Sequence, residues 1–229
     1  MIGQERYHWS AMAFSDIHLR TRLGEAASLA ARFAVRAEQH DREASFPTEN
    51  LEALRAAGWP RLSVPQHLGG WGGGLLDAVR LLRTLGSGCG STALAYAMHV
   101  QTLGTAAGRP WSGDAFQRLC ADVVARGAWV NSCASEPDLG SPSRGGLPRT
   151  VARKERGGWR ITGRKNFASL APVLDWAIIP AALEGEEQVI GRFLVPAARL
   201  HVEETWDAMG MRATGSHDIV LTDAELDSE

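Results

Sequence analysis

The sequence predicts an all-helical N-terminal domain, residues 1–127, followed by an antiparallel β-barrel domain, residues 128–229. Two observations carry that expectation. Through the first half, apolar residues recur three and four apart, the period of an amphipathic helix. Near Trp129 the period changes, and short apolar runs separated by turn residues take over. Successive strands without intervening helices give an antiparallel sheet, not the alternating units of a doubly wound fold.

The elements follow in order. Leu19, Leu23, Ala26, Ala30 and Phe33 form one face of a long helix between Phe14 and Glu43. A short helix runs from about Pro47 to Ala57, with Pro47 in its first turn and Gly58 as its stop. Residues 63–74 carry one proline and five glycines and read as a loop. Leu75, Val79, Leu82 and Leu85 define a third helix. Ser91 caps a fourth, which carries Ala93, Ala97 and Val100 and is ended by Gly104 and Pro110. Phe116, Leu119, Cys120, Val123 and Val124 mark a fifth. Strands are expected at 150–155 and 159–162, joined through Gly157–Gly158, and at 176–183, 189–195 and 219–222. Trp159 and Trp176 are expected in the barrel core.

Composition excludes several function classes. A net charge of -2 with mixed signs leaves no electrostatic footprint for nucleic acid. No apolar run is long enough to cross a membrane, and residues 1–14 do not read as a signal peptide. Cys89, Cys120 and Cys133 are widely spaced and odd in number, which suits a reducing cytoplasm rather than a disulfide framework. Histidines are dispersed, so no metal site is expected. Gly86-Ser-Gly-Cys-Gly-Ser91 follows a helix and ends in serine, so it fails as a dinucleotide fingerprint. No G-x-S-x-G element is present.

Two segments carry chemistry. Cys133-Ala-Ser-Glu-Pro-Asp-Leu-Gly-Ser141 reads as a strand end entering a turn. The small Gly140 and Ser141 let backbone N–H groups approach an anion. Gly163-Arg-Lys-Asn-Phe-Ala-Ser169 reads as a strand ending in a ring and a hydroxyl, so that Phe167 can lie against a planar group with Ser169 at its polar edge. On the residues alone, ordinary turns and a core phenylalanine are the competing reading.

These segments resemble the acyl-CoA dehydrogenase family. Ser135-Glu-Pro-Asp-Leu-Gly-Ser141 is similar to its Thr-Glu-Pro-x-x-Gly-Ser motif, and Gly163-Arg-Lys-Asn-Phe-Ala-Ser169 to its Gly-x-Lys-x-(Trp/Phe)-x-(Thr/Ser) motif. Val64-Pro65 with Gly69-Gly70, Gly90 to His99, and Trp206 to Asp218 resemble further family segments in the same order. The resemblance implies FAD as cofactor, contacted by Ser132, Ala134, Ser135, Gly140, Ser141, Phe167, Ala168 and Ser169. Ser135 would hydrogen-bond the flavin ring, Gly140 and Ser141 would approach the pyrophosphate or coenzyme A side, Phe167 would pack on the isoalloxazine, and Ser169 would sit near N5. Ser141, His99 and Arg212 are candidate substrate contacts, with a helix-packing histidine and a surface arginine as the alternatives. Pro142 replaces the motif's usual aspartate, which removes any contact through that carboxylate.

The implied reaction is α,β-dehydrogenation of an acyl-CoA thioester, with hydride passing to flavin N5 and electrons to an electron-transferring flavoprotein. The family's catalytic base lies in a C-terminal helical part expected beyond Glu229, as does much of the contact in a homo-oligomer. No catalytic residue is therefore expected in this chain, which alone would be inactive. A flavin-dependent monooxygenase of the same superfamily and a non-catalytic partner subunit are the alternatives.

Overall fold

A computed structural model of the chain describes Trp9 and residues 12–137 and 146–227. The chain divides into two compact units, one running to Ala128 and including Met209–Thr214, the other comprising Trp129–Ala208 and the residues from Gly215 on.

The first unit contains α1 (Asp16–Glu43), α2 (Thr48–Ala56), α3 (Leu75–Gly86), α4 (Gly90–Ala107) and α5 (Ala115–Arg126). Helix α1 starts where the Ser15 hydroxyl accepts the His18 N–H and buries Leu19, Ala26, Leu29, Ala30 and Phe33. Helix α4 is capped by Cys89, two residues earlier than Ser91, and runs through Gly104 to Ala107. Tyr96 is fully buried, and its hydroxyl donates to the Trp59 carbonyl at 2.7 Å. Asp77, in the first turn of α3, accepts the N–H groups of Phe14 and Gly74. Gly127 ends α5 in the left-handed region, the usual glycine stop.

One helix face differs from expectation. In α3 the buried apolar residues are Ala78, Leu81 and Leu85, whereas Leu75 and Val79 are exposed. The helix has apolar side chains on more than one face, so spacing alone cannot choose between them.

Among the described residues the second unit is a seven-stranded sheet: β1 (Val130–Ser132), β2 (Val151–Glu155), β3 (Gly158–Ala168), β4 (Trp176–Leu183), β5 (Ile190–Pro196), β6 (His201–Glu203) and β7 (His217–Asp227). The path runs β1-β4-β2-β3-β7-β6, and β5 lines the other side of β4. Antiparallel pairing dominates, but β4 pairs in parallel with both β1 and β2. Among the described residues β5 and β6 do not pair with each other, so the sheet is an open half-barrel.

Strand β3 runs unbroken from Gly158 to Ala168 and so joins the strand expected at 159–162 to the strand read at Gly163–Ser169. Gly163 looks like a breaker, but it is there for space: a Cβ would stand 2.4 Å from the Thr150 hydroxyl. The sheet core is Ala152, Ile161, Ala177, Ile179, Val195 and Ile219. Trp159 and Trp176 are only half-buried; the fully buried tryptophans are Trp59 and Trp129.

Candidate functional site

The end of β3 is where local structure departs most from regularity. Its pairing with β7 shifts register between Lys165 and Ala168. Within that shift Phe167 sits at φ 57, a left-handed backbone that is costly for a bulky side chain. The strain turns the ring outward, and Phe167 is 62% exposed. It is edge-on to Trp206, with centroids 6.0 Å apart and planes at 80°. An exposed, strained aromatic is the opposite of the core phenylalanine that would make this segment ordinary.

Beside it, Ala168 and Ser169 are buried. The Ser169 N–H closes on the Phe167 carbonyl at 3.0 Å. The Ser169 hydroxyl lies 2.8 Å from that of Ser216, and the Ser169 carbonyl accepts from the Asn131 amide at 2.9 Å. The hydroxyl is thus held in one place by a neighbour on the chain entering β7.

The two sequence motifs meet here. The Asn166 N–H donates to the Ser135 carbonyl at 3.0 Å, laying the segment after β1 alongside the end of β3. Ser132 is exposed, and Ala134 and Ser135 are half-buried. The Asn166 Oδ1 is buried without a donor among the described residues, so an unsatisfied acceptor adjoins the strained backbone. Gly140 and Ser141 lie outside the described residues.

Beneath this junction lies a buried ion pair whose role the sequence reading missed. Lys165 has no exposed surface, and its Nζ donates to Glu136 Oε1 at 2.6 Å and to the Pro180 carbonyl at 2.7 Å. Glu136 also accepts the Arg149 N–H at 2.6 Å, the Thr150 N–H at 3.1 Å and the Thr150 hydroxyl at 2.7 Å. Burial works against the Glu136 charge, but donors from Lys165, Thr150 and Arg149 outweigh it and hold the carboxyl below its ordinary range. Burial pushes the Lys165 ammonium down, against the opposing pull of Glu136. One carboxylate therefore joins β3, the segment after β1 and the residues entering β2. A signal was available. The chain has 24 Lys and Arg residues, yet only Lys154 and Lys165 are lysines, and a compact ammonium suits a buried pair that a guanidinium would not fill the same way.

The other candidates belong to the first unit. His99 has no exposed surface; its Nε2 lies 2.9 Å from the Pro60 carbonyl and its ring stacks on Tyr96, contacts that pack it within the helical unit. Arg212 is half-buried and donates from Nε to the Asp41 carbonyl at 2.8 Å, which places it against the C-terminal end of α1. Cys133 adjoins the site in sequence, but burial raises its thiol to about 12, so it offers no nucleophile.

Comparison with known proteins matches this arrangement along most of the chain. Residues 22–109 match the family model "Acyl-CoA dehydrogenase, N-terminal domain", and residues 131–224 match "Acyl-CoA dehydrogenase, middle domain". "Putative acyl-CoA dehydrogenase YdbM" of Bacillus subtilis (strain 168) is 39% identical over 202 residues, 87% of this chain and 52% of that protein. "FADH(2)-dependent resorcinol hydroxylase, oxygenase component" of Rhizobium sp. (strain MTP-10005) is 28% identical over 211 residues, 90% of this chain and 47% of that protein. The solved structure of KijD3 in complex with FMN and dTDP-3-amino-2,3,6-trideoxy-4-keto-3-methyl-D-glucose superposes with a TM-score of 0.82 at 28% identity, covering 98% of this chain and 56% of that one. The chain spans about half the length of the curated relatives it matches.

Proposed function

Because the chain belongs to the acyl-CoA dehydrogenase family, we propose that its sheet unit supplies one wall of a flavin site and that the whole protein is a flavin-dependent oxidoreductase. The observation that carries this reading is Phe167, held at φ 57 with its ring turned outward. A strained backbone that exposes an apolar ring is maintained only where the surrounding structure over-determines it, and such places cluster at ligand sites. A planar heteroaromatic is the ligand that such a ring accepts by stacking.

The residues present fit that group. Phe167 would flank the isoalloxazine. Ser135 and the backbone at Ala134, laid beside β3 by the Asn166 N–H, would meet its polar edge, with Ser132 near the strand end. Ala168 leaves room, and the Ser169 hydroxyl, already oriented by Ser216, would stand toward the reacting edge. Gly140 and Ser141 would take the pyrophosphate side. When bound, the flavin supplies a two-electron acceptor or, once reduced, a donor to oxygen. FAD is the form we propose, and FMN is the alternative that the KijD3 complex raises.

The finer reading is α,β-dehydrogenation of an acyl-CoA thioester, supported by the 39% identity to YdbM. Glu136 does not serve as its base, because four donors already occupy the carboxylate. That reading brings an electron-transferring flavoprotein as acceptor and a homo-oligomer as the working form. A second reading, hydroxylation or oxidation of a small molecule by reduced flavin and oxygen, is favoured by the match to the resorcinol hydroxylase component.

The test uses the product of the complete reading frame, loaded with flavin and made anaerobic. Dehydrogenation predicts that a saturated acyl-CoA bleaches the flavin and yields the enoyl thioester. No bleaching by acyl-CoAs of short, medium and long chain, with oxygen consumed only after the flavin is reduced, would replace that reading with the oxygenase one.

A further inference from the structure

The Phe167 ring has a support, and the backbone of that support is tied to a histidine. Phe167 stands edge-on to Trp206, which lies in the corner after β6. The backbone of that corner is held by His217, the first residue of β7, whose Nδ1 accepts the Thr205 N–H at 3.1 Å and the Trp206 N–H at 3.2 Å. Both partners are donors, so Nδ1 must carry its lone pair, and the imidazole is neutral with its proton on Nε2. An imidazolium has no acceptor and cannot make either bond.

The charged neighbours are few. Glu204 of the corner and Asp218 of β7 both favour the charged ring. Asp218 is itself engaged by Arg164 of β3 at 2.7 Å, and Arg164 also pairs with Glu203 of β6. Burial outweighs Glu204 and Asp218, so the His217 ring titrates below its ordinary value. A second tie, between the Thr205 hydroxyl and Asp218, does not involve the imidazole and reaches only Thr205.

We propose that His217 is a positioning residue for the flavin-facing ring: neutral His217 braces the Trp206 corner, Trp206 braces Phe167, and protonation of His217 removes that brace. The inference rests on the flavin reading above and adds a proton-linked control to it. Because the folded ring titrates below its ordinary value, the contact is complete near neutral pH and is lost as pH falls through that lowered value.

The experiment has two arms. In the first, FMN and FAD are titrated against the chain from about pH 8 to about pH 5, the range in which a histidine changes charge. Wild type should lose about tenfold in affinity across that range, a change of about 1.4 kcal/mol. His217→Gln should show a flat profile at the wild-type high-pH affinity, since its amide oxygen accepts an N–H but does not titrate. His217→Leu should be weak throughout. Equal slopes for wild type and His217→Gln would overturn the proposal. The second arm needs no flavin and no variant. Nitrogen NMR of the His217 ring should show Nδ1 unprotonated near neutral pH, and exchange of the Thr205 and Trp206 amides should accelerate as it protonates. Amide exchange indifferent to the ring's charge would also overturn the proposal. If exchange follows the ring but no flavin binds at any pH, the corner mechanism stands and the flavin reading fails.

Discussion

At the scale of single residues, Phe167 sets stability against function. Its left-handed backbone costs on the order of 1–2 kcal/mol relative to a residue free to adopt it. Because the side chain is mostly exposed, little burial offsets that cost. Phe167→Gly should therefore melt at the same temperature or higher, by up to about 1 kcal/mol of added stability, while flavin affinity falls at least about tenfold. Thermal melts and flavin titration on the same preparation check this; a variant that loses stability and keeps the flavin would show that the ring is a packing residue. The motif singled out Phe167 as a candidate ligand contact, but its strain was not legible. Strain arises from the register shift between β3 and β7, and no local pattern encodes a shift that depends on a strand fifty residues away. His217 was hidden for the same reason, since its partners lie in a corner that only folding brings to it.

At the scale of elements, the Glu136–Lys165 pair fastens three stretches of chain. Removing one partner leaves a buried charge, and Glu136→Gln should destabilise the chain by about 3–5 kcal/mol. The double variant Glu136→Gln with Lys165→Met should recover much of that loss, because no lone charge remains buried. Chemical denaturation of wild type, Glu136→Gln, Lys165→Met and the double variant tests the coupling; additive losses would mean the two side chains act independently. The same carboxylate gives a pH dependence. Its folded value lies below the ordinary one, so its contribution is complete above about pH 4.5 and is lost as pH falls through the depressed folded value. Wild type should lose stability in that window more steeply than the double variant. Elements were legible where one period dominated. Helix α1 starts at a serine cap and buries one stripe. Helix α3 was placed, with Leu85 buried but Leu75 and Val79 exposed; spacing could not choose among them, because Leu75, Leu76 and Val79 are as apolar as the residues it buries. Strand β6, three residues long, is too short for any period to declare itself.

At the scale of the whole molecule, two compact units of different architecture follow from the change of period near Trp129. The direction of strand pairing does not. Alternation tells which side of a strand is buried, not whether its neighbour runs parallel, so the parallel contacts of β4 with β1 and β2 emerge only from the path of the chain. The segment Met209–Thr214 likewise belongs with the helices although strands surround it in sequence. Burial also sets the thiol chemistry of the molecule. Cys89, Cys120 and Cys133 are all buried, and Cys120 and Cys133 are raised to about 12. A disulfide reagent at about pH 8 should leave the native chain essentially unmodified and label it fully once denatured; rapid native labelling at Cys133 would show that the segment after β1 opens far more readily than its hydrogen bonds imply.

The central claim is that the end of β3 and the segment after β1 form a flavin wall. The most direct measurement is equilibrium dialysis of the purified chain against FAD and FMN, with Phe167→Ala alongside and folding verified by circular dichroism. The account predicts saturable, near-equimolar uptake by wild type and uptake weakened at least about tenfold in the variant. A folded variant that binds flavin as tightly as wild type would contradict it.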